Sequence, residues 1–254
     1  MTALAPIDRF SPNTDAREGG VDMLVLHYTG MTSGAAAIER LCDPVARVSA
    51  HYVIEEDGAV HRLVREEARA WHAGVSEWGG RALLNDCSIG IEIVNPGHEW
   101  GYCAFPEAQM QALETLATGI VKRWSIAPER VLGHSDIAPR RKEDPGELFD
   151  WPRLARAGLA IWPEAAEERD EAGRLLDIEG VMALNRAMAT VGYDLAEFAP
   201  ALTAFRRRFR PHALEGVPVM RDYLIAREVA ARYPATTDPG EPVATPDAFN
   251  PEVG

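Results

Sequence analysis

Apolar and polar positions follow two rhythms along this chain, and the change from one to the other divides it. In the first part strands and helices are interspersed. Val21 to Tyr28 is a nearly continuous apolar run, which predicts a strand buried on both faces. Cys87 to Val94 alternates instead, with Ile89, Ile91 and Ile93 on one face and Gly90 and Glu92 on the other. His51 to Glu56 and Val60 to Val64 flank Asp57-Gly58, which predicts a hairpin. A short strand is expected over Arg130 to Gly133. Ser33 caps a helix running to Arg40, and Asp150 caps another running to about Ala157. Pro106 opens a longer helix ending at Trp124, whose apolar stripe is Met110, Leu113, Leu116, Ile120 and Val121.

The second rhythm is purely helical. Patterns over Ile178 to Thr190, Phe198 to Phe209 and Val219 to Tyr233 predict three helices around a small core. The fold class is therefore α/β, a mixed central sheet flanked by helices, followed by a small all-α three-helix unit. The expected boundaries are an N-terminal extension over 1–20, the α/β domain over 21–163 and a polar, acidic linker over 164–176. The helical unit then spans 177–234, and a proline-rich tail over 235–254 is expected to be disordered.

Composition narrows the function. A formal net charge of −13 argues against a nucleic-acid partner, because phosphate binding depends on Lys and Arg. No apolar run approaches the ~20 residues that span a bilayer. Cys42, Cys87 and Cys103 form no CxxC pair, and the first twenty residues lack an apolar leader core. Both features lead to the expectation of a cytoplasmic protein, or a periplasmic one if a leader has been removed.

Of the seven histidines, His27 and His134 stand at the C-terminal ends of predicted strands, where open α/β sheets place functional groups. Downstream of His134 lie Asp136, Glu143 and Asp144. Two imidazoles and one carboxylate make an ordinary catalytic zinc shell with a fourth position left open. The residue types alone do not choose among the three acids. No HExxH is present.

The ordered blocks VLHYTG, SAHYVI, AWHAGVS, LNDCSIGIEIVN and VLGHSDIAPRRKEDPG, followed by FDW, resemble the type-2 N-acetylmuramoyl-L-alanine amidases. That broad fold also includes phage amidase lysozymes and peptidoglycan-recognition proteins. The resemblance covers Val21 to Trp162. It implies a Zn2+ cofactor held by His27, His134 and Asp144, and it makes Asp136 a loop-shaping residue and Glu143 a solvated one. It also implies a catalytic Glu92 that shuttles the proton, and a Lys142 that steadies the oxyanion. Trp71, His72, Ala73 and Asn85 match groove-lining positions, and Arg141 is expected to pair with a stem-peptide carboxylate. The implied reaction cuts the amide between N-acetylmuramic acid and L-alanine in muropeptides. Glu92 facing away from the isoleucines, and an intact ligand set, favour catalysis over a non-catalytic peptidoglycan sensor. A two-metal phosphoesterase would need more His and Asp ligands.

AFRRRFRP, Ala204 to Pro211, is similar to the core helix of peptidoglycan-binding domains. Phe205 and Phe209 are expected in the core. The four arginines are expected on a solvated face, or else gripping an anionic polymer.

Overall fold

The computed structural model describes residues 5–166 and 173–233. The expected tail at 235–254 and the middle of the expected linker lie outside the described residues. In chain order the strands are β1 (Ile7–Asp8), β2 (Thr14–Ala16), β3 (Met23–Tyr28), β4 (Tyr52–Ile54), β5 (Val60–Arg62), β6 (Ala68–Ala70), β7 (Glu77–Trp78), β8 (Arg81–Ala82), β9 (Ser88–Ile93) and β10 (Val131–Gly133). The helices are α1 (Gly34–Cys42), α2 (Gly97–Trp100), α3 (Glu107–Trp124), α4 (His134–Ile137), α5 (Trp151–Arg156), α6 (Ile178–Val191), α7 (Phe198–Phe209) and α8 (Met220–Ala230).

One mixed six-stranded sheet, ordered β1-β5-β4-β9-β3-β10, carries the fold. Only the β4–β5 hairpin is antiparallel; the other neighbours run parallel. The near-continuous apolar run became the interior strand β3, covered on both faces. Leu24 and Leu26 share one face with Ile89, Ile91 and Ile93 and pack under α3 through Met110, Leu113 and Ile120. The other face holds Met23 and Val25. The expected caps form: Ser33 accepts from the Ala36 amide at 3.2 Å, and Asp150 from the Arg153 amide at 2.9 Å.

Two sequence expectations are corrected. Of the expected N-terminal extension, residues 5–20 are built into the fold. β1 adds an edge to the main sheet, β2 pairs with β6, and the Arg17 guanidinium runs inward to the carbonyls of Ala68, Asn85, Asp86 and Ser88. Nor do the three helices enclose a core of their own. Leu184, Met188, Phe205 and Phe209 belong to one apolar cluster with Met23, Val25 and Leu132 of the sheet. The helical unit therefore covers the sheet face that α3 leaves open. Three helices of this length bury too little by themselves, and a shared core removes that deficit.

The arginines of α7 follow from this packing. Arg206, Arg207, Arg208 and Arg210 are all buried, so neither a solvated face nor a polymer grip describes them. Arg206 and Arg210 pair with Asp222, and Arg206 also donates to the carbonyls of Glu215, Gly216 and Val217.

Candidate metal centre and active-site cleft

β3 and β9 are parallel neighbours, and their register sets His27 directly beside Glu92. Both residues sit at the C-terminal ends of their strands, on the face away from the isoleucines. On the other side of β3, β10 ends at Gly133, and His134 opens the one-turn helix α4. The chain then returns so that the Ser135 amide donates to the Asp144 carbonyl at 2.8 Å. The Asp144-Pro145 bond is cis.

These elements bring three donors to one point. His27 Nδ1 lies 2.9 Å from His134 Nδ1, and each is 3.0 Å from Asp144 Oδ2. All three side chains are buried, and among the described residues they are the one His/Cys/Asp/Glu cluster arranged to hold a metal ion. The opposite ring nitrogens are also engaged. His134 Nε2 donates to the Ala73 carbonyl at 3.0 Å, which leaves Nδ1 as a lone pair. His27 Nε2 lies 3.0 Å from His72 Nδ1, and His72 Nε2 lies 3.2 Å from Ser88 Oγ, whose hydroxyl donates to the Leu84 carbonyl. With Ser88 donating onward, His72 Nε2 donates to Ser88 and His27 Nε2 donates to His72. His27 Nδ1 is then a free lone pair too.

Electrostatics agree with a ligand set. Burial, with the neighbouring His134 second, lowers His27 to about 4, so its ring is neutral at physiological pH. Asp144 is penalised by burial, yet His134 and His27 together hold its carboxyl well below the usual carboxylate range. A neutral His27 and an ionised Asp144, with the His134 ring beside them, fit a divalent metal. Glu92 behaves oppositely. Burial and the nearby Asp144 raise its pKa well above the ordinary value, with Lys142 opposing them. Its Oε2 is buried with no hydrogen-bond partner among the described residues.

A cavity of about 370 Å³ opens over this point and is lined in part by Tyr28, Trp71, His72, Glu92, Arg141, Lys142 and Asp144. Trp71 is fixed from behind by its indole N–H, which donates to Asp15 Oδ2 at 2.7 Å. Arg141 turns back from the cleft mouth and donates to the carbonyls of Ala73 and Val75. Ala73 and Asn85 lie outside the lining. Ala73 presents its carbonyl to His134, and Asn85 Oδ1 accepts from the amides of His72 and Ala73 at 3.0 and 2.7 Å. Both shape the loop that carries His72.

Sequence reasoning missed two contributors: Arg17 anchors the Asn85 loop, and Ser88 closes the hydrogen-bond chain behind His27. Asp136, expected to shape its loop, does so by accepting from the Gly133 amide, and also from Arg208 and Tyr193, which lie 72 and 57 residues away. Glu143, expected to be solvated, is half-exposed and meets Arg207 at 3.3 Å. The apolar setting of Asp136 and the Phe–Arg alternation in α7 were the available signals. Nothing in the sequence marked the partners.

Two imidazoles and a carboxylate around one point that could hold a metal ion, with a carboxylate beside them whose Oε2 has no partner among the described residues, are the arrangement that hydrolysis in a cleft requires. Residues 17–147 match the family Amidase_2, N-acetylmuramoyl-L-alanine amidase, and the chain belongs to that family. The N-acetylmuramoyl-L-alanine amidase AmiD of Escherichia coli K12 is 36% identical over 236 residues, covering 84% of this chain and 83% of that protein. The 1,6-anhydro-N-acetylmuramyl-L-alanine amidase AmpD of Haemophilus influenzae is 44% identical over 163 residues, 56% of this chain and 86% of its own. A solved complex of E. coli AmiD with anhydro-N-acetylmuramic acid-L-Ala-D-γ-Glu-L-Lys superposes with a TM-score of 0.75 at 33% identity, covering 86% of this chain and 93% of that one.

Proposed function

We propose that this chain is a zinc amidase that hydrolyses the amide between N-acetylmuramic acid, including its anhydro form, and L-alanine in peptidoglycan fragments. The observation that carries the reading is the convergence of His27 Nδ1, His134 Nδ1 and Asp144 Oδ2 beside Glu92. The AmiD complex holds an anhydro-muramyl peptide, and its likeness to this chain supports the substrate class. The family and the His-His-Asp donor set support zinc.

Zinc, when bound, supplies a Lewis acid for the scissile carbonyl and lowers the pKa of water. Glu92 takes the proton from the attacking water, for which a carboxylate of raised pKa is suited, and delivers it to the departing alanine nitrogen. Lys142 places a positive charge at the cleft where the carbonyl oxygen gains negative charge. Trp71 walls the groove. Arg141, half engaged with backbone carbonyls, keeps donor capacity for a stem-peptide carboxylate.

The unpaired Cys42, Cys87 and Cys103 support a reducing, cytoplasmic compartment, and with it soluble muropeptides from wall recycling over intact murein. Mass spectrometry of products decides between these substrates. Purified anhydro-muropeptide should yield free anhydro-sugar and stem peptide at a rate well above release from murein sacculi. Cleavage of sacculi alone would overturn the recycling assignment, and cleavage of neither would overturn the activity.

A further inference from the structure

The four buried arginines of α7 divide by where their counter-charges lie. Arg206 and Arg210 are matched inside the helical unit by Asp222. Arg207 and Arg208 leave it, and their three acidic partners stand on the two segments that carry metal ligands. Arg208 Nη1 donates to Asp136 Oδ2 at 2.9 Å, while its guanidinium stacks over Trp151 at 4.1 Å. Tyr193, which follows α6, donates its hydroxyl to Asp136 Oδ1 at 2.6 Å. Asp136, 1% exposed, also accepts from the Gly133 amide at 2.8 Å, the residue just before His134. Arg207 reaches Glu143 at 3.3 Å and Glu147 at 3.6 Å, one residue before and three residues after Asp144.

α4 has four residues, too few to hold a helical turn without outside contacts. Its geometry, and so the aim of His134 Nδ1, depends on what fixes Asp136. Each Asp136 oxygen is taken by a residue of the helical unit, in a dry setting where charge-assisted hydrogen bonds act strongly. We propose that Arg208 and Tyr193, through Asp136, are positioning residues for the metal ligand His134. Arg207 does the same for the Asp144 loop. The helical unit is then part of the metal centre, and its arginines are committed to that task instead of to a wall polymer. This rests on the reading of His27, His134 and Asp144 as zinc ligands.

The test measures zinc affinity of the full chain by competition with a chromophoric chelator, and the visible spectrum of the cobalt-loaded protein. Tyr193→Phe removes one hydroxyl. Arg208→Met keeps the stem over Trp151 but loses the charge, and Arg208→Lys restores the charge. Ile225→Val serves as a control, because Ile225 is buried in α8 and pairs with none of these groups. Tyr193→Phe and Arg208→Met should each weaken zinc binding about tenfold, the lower end of what outer supports contribute. Both should alter the cobalt spectrum, and Arg208→Lys should recover part of the affinity. Ile225→Val should lower Tm and leave affinity and spectrum unchanged. Wild-type affinity in both Tyr193→Phe and Arg208→Met would overturn the inference, as would an equal loss in the control. A wild-type chain that takes up no stoichiometric zinc would overturn the metal reading itself, and this inference with it.

Discussion

His27 and His134 aim the same ring atom at one point, but different parts of the molecule hold them there. His27 stands on an interior strand of the sheet. Its strand pairs on both sides with β9 and β10, and its far nitrogen is backed by His72, Ser88 and the Leu84 carbonyl, all within the α/β part. His134 opens a single turn at the sheet's edge, backed by the Ala73 carbonyl and by an aspartate whose partners come from the helical unit. A ligand in a sheet interior inherits rigidity from backbone pairing. One on a short turn must be supplied with it from elsewhere.

The sharpest way to break the comparison is to remove the ligands. His27→Ala and His134→Ala should each abolish stoichiometric zinc and reduce cleavage to background, however differently the two residues are supported. Glu92→Gln should separate chemistry from support. Zinc content should stay at the wild-type level while kcat falls ~10²–10⁴-fold, the usual loss for a general base. Metal analysis with single-turnover cleavage reads both, and near wild-type turnover in Glu92→Gln would move the proton transfer to another group.

A smaller effect sharpens the contrast. His72→Phe removes the acceptor behind His27 and should weaken zinc binding about 10–100-fold. Gly90→Ala should act similarly, because a methyl there would sit 2.4 Å from the His72 ring. His72 and Tyr193 have no hydrogen-bond partner in common, so losses in His72→Phe and Tyr193→Phe should multiply in the double variant. Chelator competition on the four-member cycle tests this, and a double variant no worse than either single one would mean a common support.

The smallest effect is on stability against pH in the metal-free protein. Burial lowers His27 to about 4 and His51 to about 3, from 6.5 when exposed. His51 is held neutral, accepting from the Gly90 amide and donating to the Ala68 carbonyl. Between these values and 6.5 the unfolded chain binds protons that these rings refuse in the folded chain, so their titration favours unfolding on acidification, while Glu92, raised by burial, acts in the opposite sense. In Glu92→Gln, which removes the opposing carboxyl, Tm should fall from about pH 6.5 towards pH 4. Zinc should delay the fall, since the metal competes with protons for His27. A Tm independent of pH between 4 and 6.5 in this variant would contradict the burial of these rings.

Much of the sheet-borne half was legible in the sequence. The apolar run of β3 put His27 at a strand end, and the alternation of β9 turned Glu92 away from the isoleucines, because period-two patterns report directly on a sheet; that the two stand on one face comes from the register of the strands. Residue types also brought His134 to a strand end. They did not choose Asp144 among three acids; the resemblance did. The turn-borne half was largely illegible for a physical reason. Its supports are ion pairs across 64 to 72 residues, and a buried arginine reads in sequence like a solvated one. β1 and β2 escaped for another reason: two and three residues with exposed side chains carry no periodic signal.

The pairing of His27 with Glu92 as register neighbours also bears on how the chain can be edited. Their spacing is a lattice constant of the sheet, roughly 4.8 Å between strands, and owes little to side-chain fit. Substitutions of similar size within residues 23–28 and 88–93 should therefore leave the spacing intact. A one-residue insertion or deletion would not. It would turn the glutamate into the layer of isoleucines and bring an isoleucine to the cleft, because side chains alternate faces at every step. Within those two segments the chain can vary in composition but not in length.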